Sequence, residues 1–332
     1  MKRRLLPLLV CALLAGCSTA SNQTAPTSEW FSGTALDHAS SGSWIERLNH
    51  YRAMAGVPPV VEERRLSAAD RAHARYLVRN FDSDTDGASA HFETPGNPGY
   101  TPEGDRAGRR SDVALRKVIV QSPMDTASEE IGDAAIDEWI AAPFHRLDLL
   151  DPSVTSVGWG SAHEDDASAS VLEVKRAPRW SMRGRGRPRP VMFPSNGSAV
   201  PFGAYPGGEW PSPLAACGYD APSGLPITIQ FGPASSFALG SHSITEDGAA
   251  IEHCVYDADD DPGAGASDEA AAAVSAMRKA GAIILVPRAP MVPGPLYAVS
   301  IEVNGRRYAW SFRIAPASRP PTMRAEASAS SH

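Results

Sequence analysis

The sequence predicts an α+β protein whose first module mixes helices with a small sheet and whose second module is all-β. Three patterns carry this. Apolar residues recur at a spacing near 3.6 in three stretches before residue 143. Two strand-like runs, 156–160 and 170–174, follow those stretches instead of alternating with them, an order that reads as α+β and not as βαβ repeats. From Val191 onward, short strand candidates recur between Pro and Gly residues, the pattern of a β-sandwich.

Ser43 followed by Glu46 has the spacing of a capping box, and Ile45, Leu48, Tyr51 and Arg52 continue the first helix until Gly56-Val57-Pro58-Pro59 stops it. Leu66 and Ser67 open a second helix, with Asp70 in its first turn. Its stripe is Ala69, Ala72, His73, Tyr76 and Leu77. Residues 82–112 carry Asp, Gly, Pro and Ser throughout and read as irregular. A third helix spans 128–142, with Ile131, Ala135, Ile136, Trp139 and Ile140 on its apolar face and Pro143 as its stop. The second module has strand candidates at 226–231, 251–256, 282–286, 297–303 and 307–312, the last two joined by the hairpin signal Asn304-Gly305. One Ala-rich stretch, 268–279, is helical in pattern. The acidic run Asp257, Asp259, Asp260 and Asp261 lacks the fixed spacing of an EF-hand loop and reads as solvated.

A chain of 332 residues suits two domains. With 31 basic and 38 acidic residues the net charge is −7, and three of the basic residues sit in the first four positions. Nothing in this balance invites nucleic acid. Lys2-Arg3-Arg4, an apolar run over 5–14 and Leu14-Ala15-Gly16-Cys17 form a secretory leader over 1–16. The apolar run is too short to cross ~30 Å of hydrocarbon as a helix. Leu-Ala-Gly before Cys resembles a bacterial lipobox, which implies lipidation at Cys17 and a membrane anchor outside the cytoplasm. Ser18 after it suits an outer-membrane or cell-surface location. Residues 17–42 then form the lipidated start and a flexible tether. Of the four cysteines, Cys217 and Cys254 remain, and in an oxidising compartment they are a disulfide candidate. The segment 179–190 is an Arg-rich linker that sets the first module at 43–178 and the second at 191–315. The tail 316–332 reads as disordered.

Several pieces of the first module resemble one superfamily in order and spacing. They are Leu48-Asn49-His50-Tyr51-Arg52, His73-Ala74, Ala90-His91-Phe92-Glu93, Gly99-Tyr100-Thr101-Pro102-Glu103-Gly104, Ala107-Gly108, the run from Trp139 through Phe144-His145-Arg146, and Val157-Gly158-Trp159-Gly160. They look like the CAP superfamily of cysteine-rich secretory, antigen 5 and pathogenesis-related proteins, in its bacterial, exported, SCP-like branch. The resemblance implies an α-β-α sandwich with a cleft holding two His and two acids. The two His that match are His91 and His145. The acids do not carry over: the nearest match to the first places Arg109 in its position, and the second falls on Ala142. Glu93, Glu103, Asp112 and Glu138 are the nearby carboxylates. The second module resembles the immunoglobulin-like domains that follow bacterial CAP domains, which implies a spacer or adhesion role. Arg146 reads as the partner of a local carboxylate, and Trp139 as core.

The two imidazoles can hold zinc or another divalent metal, although two His without a dependable third ligand bind it weakly. No cofactor is required by any motif. The expectation is therefore a membrane-anchored, extracytoplasmic lipoprotein that binds a lipid, glycan or cell-wall component and is not an enzyme. A metal-assisted hydrolase built on His91 and His145 and a structural envelope protein are the alternatives.

Overall fold

The computed structural model describes residues 43–81, 87–117, 128–165, 167–178, 190–233, 237–259 and 267–316, without the side chains of 117 and 128–131. The leader, Cys17, the tether, the Arg-rich linker short of its last residue, the tail beyond 316, and Asp260 and Asp261 lie outside these residues.

The first module runs α1 (Trp44–Met54), β1 (Val61–Glu62), α2 (Arg64–Arg79), α3 (Pro102–Gly108), β2 (Ser111–Lys117), α4 (Ser128–Ala141), α5 (Pro143–Leu149), β3 (Val154–Val157), β4 (Gly160–Glu164) and β5 (Ala167–Arg176). Its sheet has the order β1-β3-β5-β2, with β4 also on β5. Successive residues of a strand face opposite sides, and β5 uses both. Ala169 and Val171 pack with Ala74 and Leu77 of α2. Leu172 packs with Leu48 of α1 and with Ile136 and Trp139 of α4. The result is a helix–sheet–helix sandwich.

Local details correct the sequence reading. Ser43 is the N-cap of α1, but its side chain makes no capping bond. Its carbonyl instead accepts from the N–H groups of Glu46 and Arg47. The second helix begins at Arg64, before Leu66. The stretch read as irregular contains α3, whose Thr101 N-cap accepts from the Gly104 N–H, and the start of β2. Pro143 does not only stop α4: it is the first residue of α5, where its missing N–H costs nothing. His145 therefore lies inside a helix, not beyond the end of one.

The second module runs β6 (Val191–Phe193), β7 (Ala199–Val200), β8 (Ala204–Tyr205), β9 (Ser223–Gly224), β10 (Ile227–Gln230), β11 (Leu239–Glu246), β12 (Ala249–Ala250), β13 (His253–Asp257), α6 (Asp268–Ala280), β14 (Ala282–Pro287), β15 (Tyr297–Val303) and β16 (Arg306–Ile314). Two sheets, β13-β14-β10-β6 and β12-β11-β15-β16-β7, face each other. Phe193, Ile227 and Leu285 of one meet Ile244, Ile301, Trp310 and Phe312 of the other in one core. The hairpin turn Asn304-Gly305 has both residues at positive φ (52° and 72°), as a type I′ turn requires. The module is not purely β, since α6 lies between β13 and β14. Ser267 caps α6 and Gly281 ends it in the left-handed region. Cys217 and Cys254 form a disulfide with Cα atoms 5.7 Å apart.

The two modules share a core. Phe193 of β6 sits in the cluster that includes Leu48 and Trp139, with its ring 6.4 Å from that of Tyr51. Within the first module, Arg52 is the polar clasp. It is fully buried and donates to the carbonyls of Pro58, Leu149, Asp151 and Val154. One guanidinium thus ties α1, the turn after it and the exit from α5. Removing it strands several carbonyls in an apolar setting, each at ~1–3 kcal/mol. Arg52→Met should therefore destabilise the protein by about 3–5 kcal/mol in urea unfolding. A loss under about 1 kcal/mol would show that the clasp is dispensable.

Candidate functional site

His91 ends a single 3-10 turn over Ser89–His91. That turn is fixed from beneath by His73 of α2, which is fully buried. The His73 Nε2–H donates to the Ala90 carbonyl at 2.9 Å, so Nδ1, 2.9 Å from Glu93 Oε1, shares a proton with that carboxyl. The second oxygen of Glu93 accepts from the Thr101 N–H at 2.8 Å. Gly108 lies against the same imidazole, where a Cβ would come within 2.4 Å of the ring, so no larger residue fits there without moving it. His91 itself donates from Nδ1 to the Gly108 carbonyl at 2.8 Å. A carbonyl only accepts, so the neutral His91 ring keeps an acceptor lone pair on Nε2. Burial, with the nearby His145, holds the His91 pKa below its ordinary value despite that hydrogen bond.

His145 is in the first turn of α5, and its Nδ1 is 2.7 Å from Asp112 Oδ1 on β2. Burial opposes charge on His145, but the hydrogen bond and charge of Asp112, helped by Glu209 and Asp148, overcome it and raise the His145 pKa. His91 and His145 line one cavity of about 240 Å³. Of the four nearby carboxylates, Asp112 touches an imidazole that lines the cavity. Glu138 lines the cavity and pairs with Arg116. Glu93 is turned under the floor toward His73, and Glu103 is exposed and pairs with Arg106. Arg109 does not stand in the cavity: it is paired with Asp105, with its guanidinium 4.5 Å above the Phe92 ring. Ala142 does line it.

The remaining wall comes from the second module, between Tyr205 and Trp210. Glu209 is buried, and its Oε1 accepts from the His145 N–H at 2.8 Å. Burial pushes its carboxyl up to about 7, against the pull of His145 and Arg146. Its Oε2 has no partner among the described residues. Trp210 closes the rim against Gly87, where a Cβ would lie 2.2 Å from that of Trp210. The sequence does not mark these residues for the site, because nothing local places Glu209-Trp210 beside His145. Arg146, expected to pair with a carboxylate, is instead fully buried. It lies 4.7 Å above the Phe193 ring and donates to the Pro226 carbonyl at 2.8 Å.

Among the described residues, no group of three or more His, Cys, Asp or Glu side chains is arranged to hold a metal ion. Both imidazoles commit Nδ1 to protein oxygens and leave Nε2 uncommitted, as metal-bound imidazoles also do, but among the described residues no third donor converges with them. The donor set does not fit zinc, which is held by three or four converging ligands.

Residues 45–174 match the family model described as the cysteine-rich secretory protein family, CAP. The chain is also similar to the crystal structure of an extracellular protein containing a SCP domain from Bacillus anthracis str. Ames. That likeness has 16% identity and a TM-score of 0.25, and it covers 40% of this chain and 39% of that one. No curated protein matches the chain.

Two outcomes follow from the charges. Asp112→Asn should lower the His145 pKa, read by NMR titration, because the charge that raises it is gone; an unchanged value would separate the two residues. His145, held above its unfolded value, adds stability that is present below about pH 6.5 and lost as pH rises through its folded value. Glu209, held near 7, acts in the same sense, and its contribution disappears between about pH 4.5 and 7. Glu209→Gln should therefore flatten the fall in stability between mildly acidic and neutral pH, removing on the order of 2–3 kcal/mol of pH dependence. An identical pH profile for the variant would show that Glu209 is not buried as described.

Proposed function

Residues 45–174 are a CAP domain, and from that premise we propose that the protein is an extracytoplasmic, membrane-anchored lipoprotein that binds an envelope component in the cleft between its modules. The composition of the cavity carries this reading. It offers two imidazoles, one supported by a carboxylate and one by a backbone carbonyl, with aromatic side chains and a buried carboxyl around them. Among the described residues, no Ser or Cys lines it, and no group of three or more donors is arranged to hold a metal. Hydrogen-bonding groups in a small enclosed space with an aromatic wall suit recognition. The leader and the Leu-Ala-Gly-Cys17 motif support the anchor, and the acidic chain suits an exported protein.

A second reading rests on one observation, the contact of Asp112 with His145. A carboxylate that orients an imidazole and raises its basicity is the arrangement of a general base. On this reading His145 takes a proton from a bound water and Glu209, protonated near neutral pH, gives one to a leaving group. Binding without turnover separates the two readings: incubation with envelope extract should give capture of a component with no released product, and product loss on His145→Ala would favour the hydrolase.

The anchor has its own test. Cys17→Ser should move the protein from the membrane fraction to the soluble extracytoplasmic fraction, followed by immunoblot. A variant that stays with the membrane would refute lipidation at Cys17.

A further inference from the structure

On two residues that line the cavity, a buried polar atom lacks a partner among the described residues. The Trp139 side chain is 1% exposed, and its Nε1–H has no acceptor among the described residues. Glu209 is 8% exposed, and its Oε2 is likewise unpartnered. Buried polar atoms in folded proteins are satisfied in the large majority of cases, by protein, ordered water or ligand. Both residues line the same space, one from α4 and one from the second module. The groups around them are complementary in kind: Trp139 offers a donor, His91 Nε2 an acceptor, and Glu209 a carboxyl that donates when protonated.

The cavity volume of about 240 Å³ is below the ~300–1,000 Å³ of sites for drug-sized ligands and several times the ~30 Å³ share of one water. It suits a single small ring. The half-buried Trp210 supplies a flat apolar face at the rim, and Phe81 also lines the cavity. The charged side chains around the space are already paired, Glu138 with Arg116 and Asp112 with His145, so among the described residues no unpaired charge is left as counter-ion for a charged ligand. An acyl chain would leave the Trp139 N–H and Glu209 unpaired, which is costly. A neutral ring with one apolar face and a perimeter of hydroxyl or amide groups meets all the constraints.

We propose that the cleft between the modules binds one carbohydrate ring, a residue of an envelope glycan, stacked on Trp210 and hydrogen-bonded by Trp139 Nε1–H, Glu209 and His91 Nε2. This rests on the reading of the protein as a binding module and names its ligand class. The second module is then part of the binding site and not a spacer.

The test uses the full-length protein in detergent with N-acetylglucosamine, glucose, galactose and their β-1,4-linked disaccharides, followed by saturation-transfer NMR and calorimetry. At least one sugar should bind. Trp210→Ala should weaken it by roughly tenfold, with partial recovery in Trp210→Phe. Glu209→Gln keeps the Oε1 acceptor for the His145 N–H and should weaken binding several-fold without a change in fold, checked by circular dichroism. Sugar binding that is unaffected in both variants would place the sugar elsewhere and overturn the proposal. If no sugar binds but wild-type protein still captures material from an envelope lipid extract, the carbohydrate assignment falls while the binding reading stands. If neither sugars nor envelope extracts bind, both fall.

Discussion

The docking of the second module onto α5 is the constraint on which the site depends. α5 has seven residues, and four of them, His145, Arg146, Leu147 and Asp148, bond to the second module. The N–H of His145 is held by Glu209, the Arg146 guanidinium by the Pro226 carbonyl and the Phe193 ring, and the Leu147 carbonyl by the Gln230 side chain at 2.8 Å. Asp148 takes Arg176 from one module and Lys279 from the other. A short helix has little stability of its own. Its position, and therefore that of the His145 ring, is set by what grips it from both sides. The interface is buried and continuous with the core of each half, so the modules behave as one packed body at this point.

Burial sorts the titratable groups of the cleft in opposite directions, and the partners decide the outcome. His91 has only a carbonyl for support and is held in its neutral form. His145 is also desolvated but has a carboxylate at 2.7 Å, and its pKa is raised. Glu209 is desolvated without a cationic hydrogen-bond partner and moves toward neutrality. Arg146, near it, loses basicity to burial and falls to about 9. The site thus presents an acceptor on His91, a hydrogen-bonded His145–Asp112 pair and a carboxyl held near 7, within one small space. Those are the requirements of recognising a neutral polar ligand, and they overlap with those of proton transfer. The same electrostatics therefore support both functional readings, and turnover is what distinguishes them.

Local pattern made the regular elements legible. The stripe of α2, the Asn304-Gly305 hairpin and the Ala-rich helical stretch 268–279 depend on neighbours within four residues, and all appear in the structure. α3 was hidden by Gly104 and Gly108, which lower helix propensity, yet Thr101-Pro102-Glu103 carried a start signal. Pro143 was ambiguous in principle, since the same residue stops one helix and opens the next. His91 and His145 were found through their motif context. Glu209 and Trp210 were not, because their role arises from packing 64 residues away from His145 along the chain, and no periodicity records such a contact.

The absence of an acid at Ala142 sets off what the second module brings to the cavity wall. Ala142 lines the cavity with a methyl group, where the family resemblance leads one to expect a carboxylate. Two and three residues on, the backbone N–H groups of Phe144 and His145 meet Glu209. A carboxyl therefore reaches the first turn of α5 from outside the CAP domain and keeps one oxygen without a partner among the described residues. The two origins are not equivalent physically. A carboxylate on α4 would be fixed by its own helix, whereas Glu209 is present only while the modules are docked. The protonation of Glu209, the hold on Arg146 and the closure of the cavity by Trp210 all follow from that docking, so any ligand that fills the cavity contacts both modules and favours the docked state over the separated one.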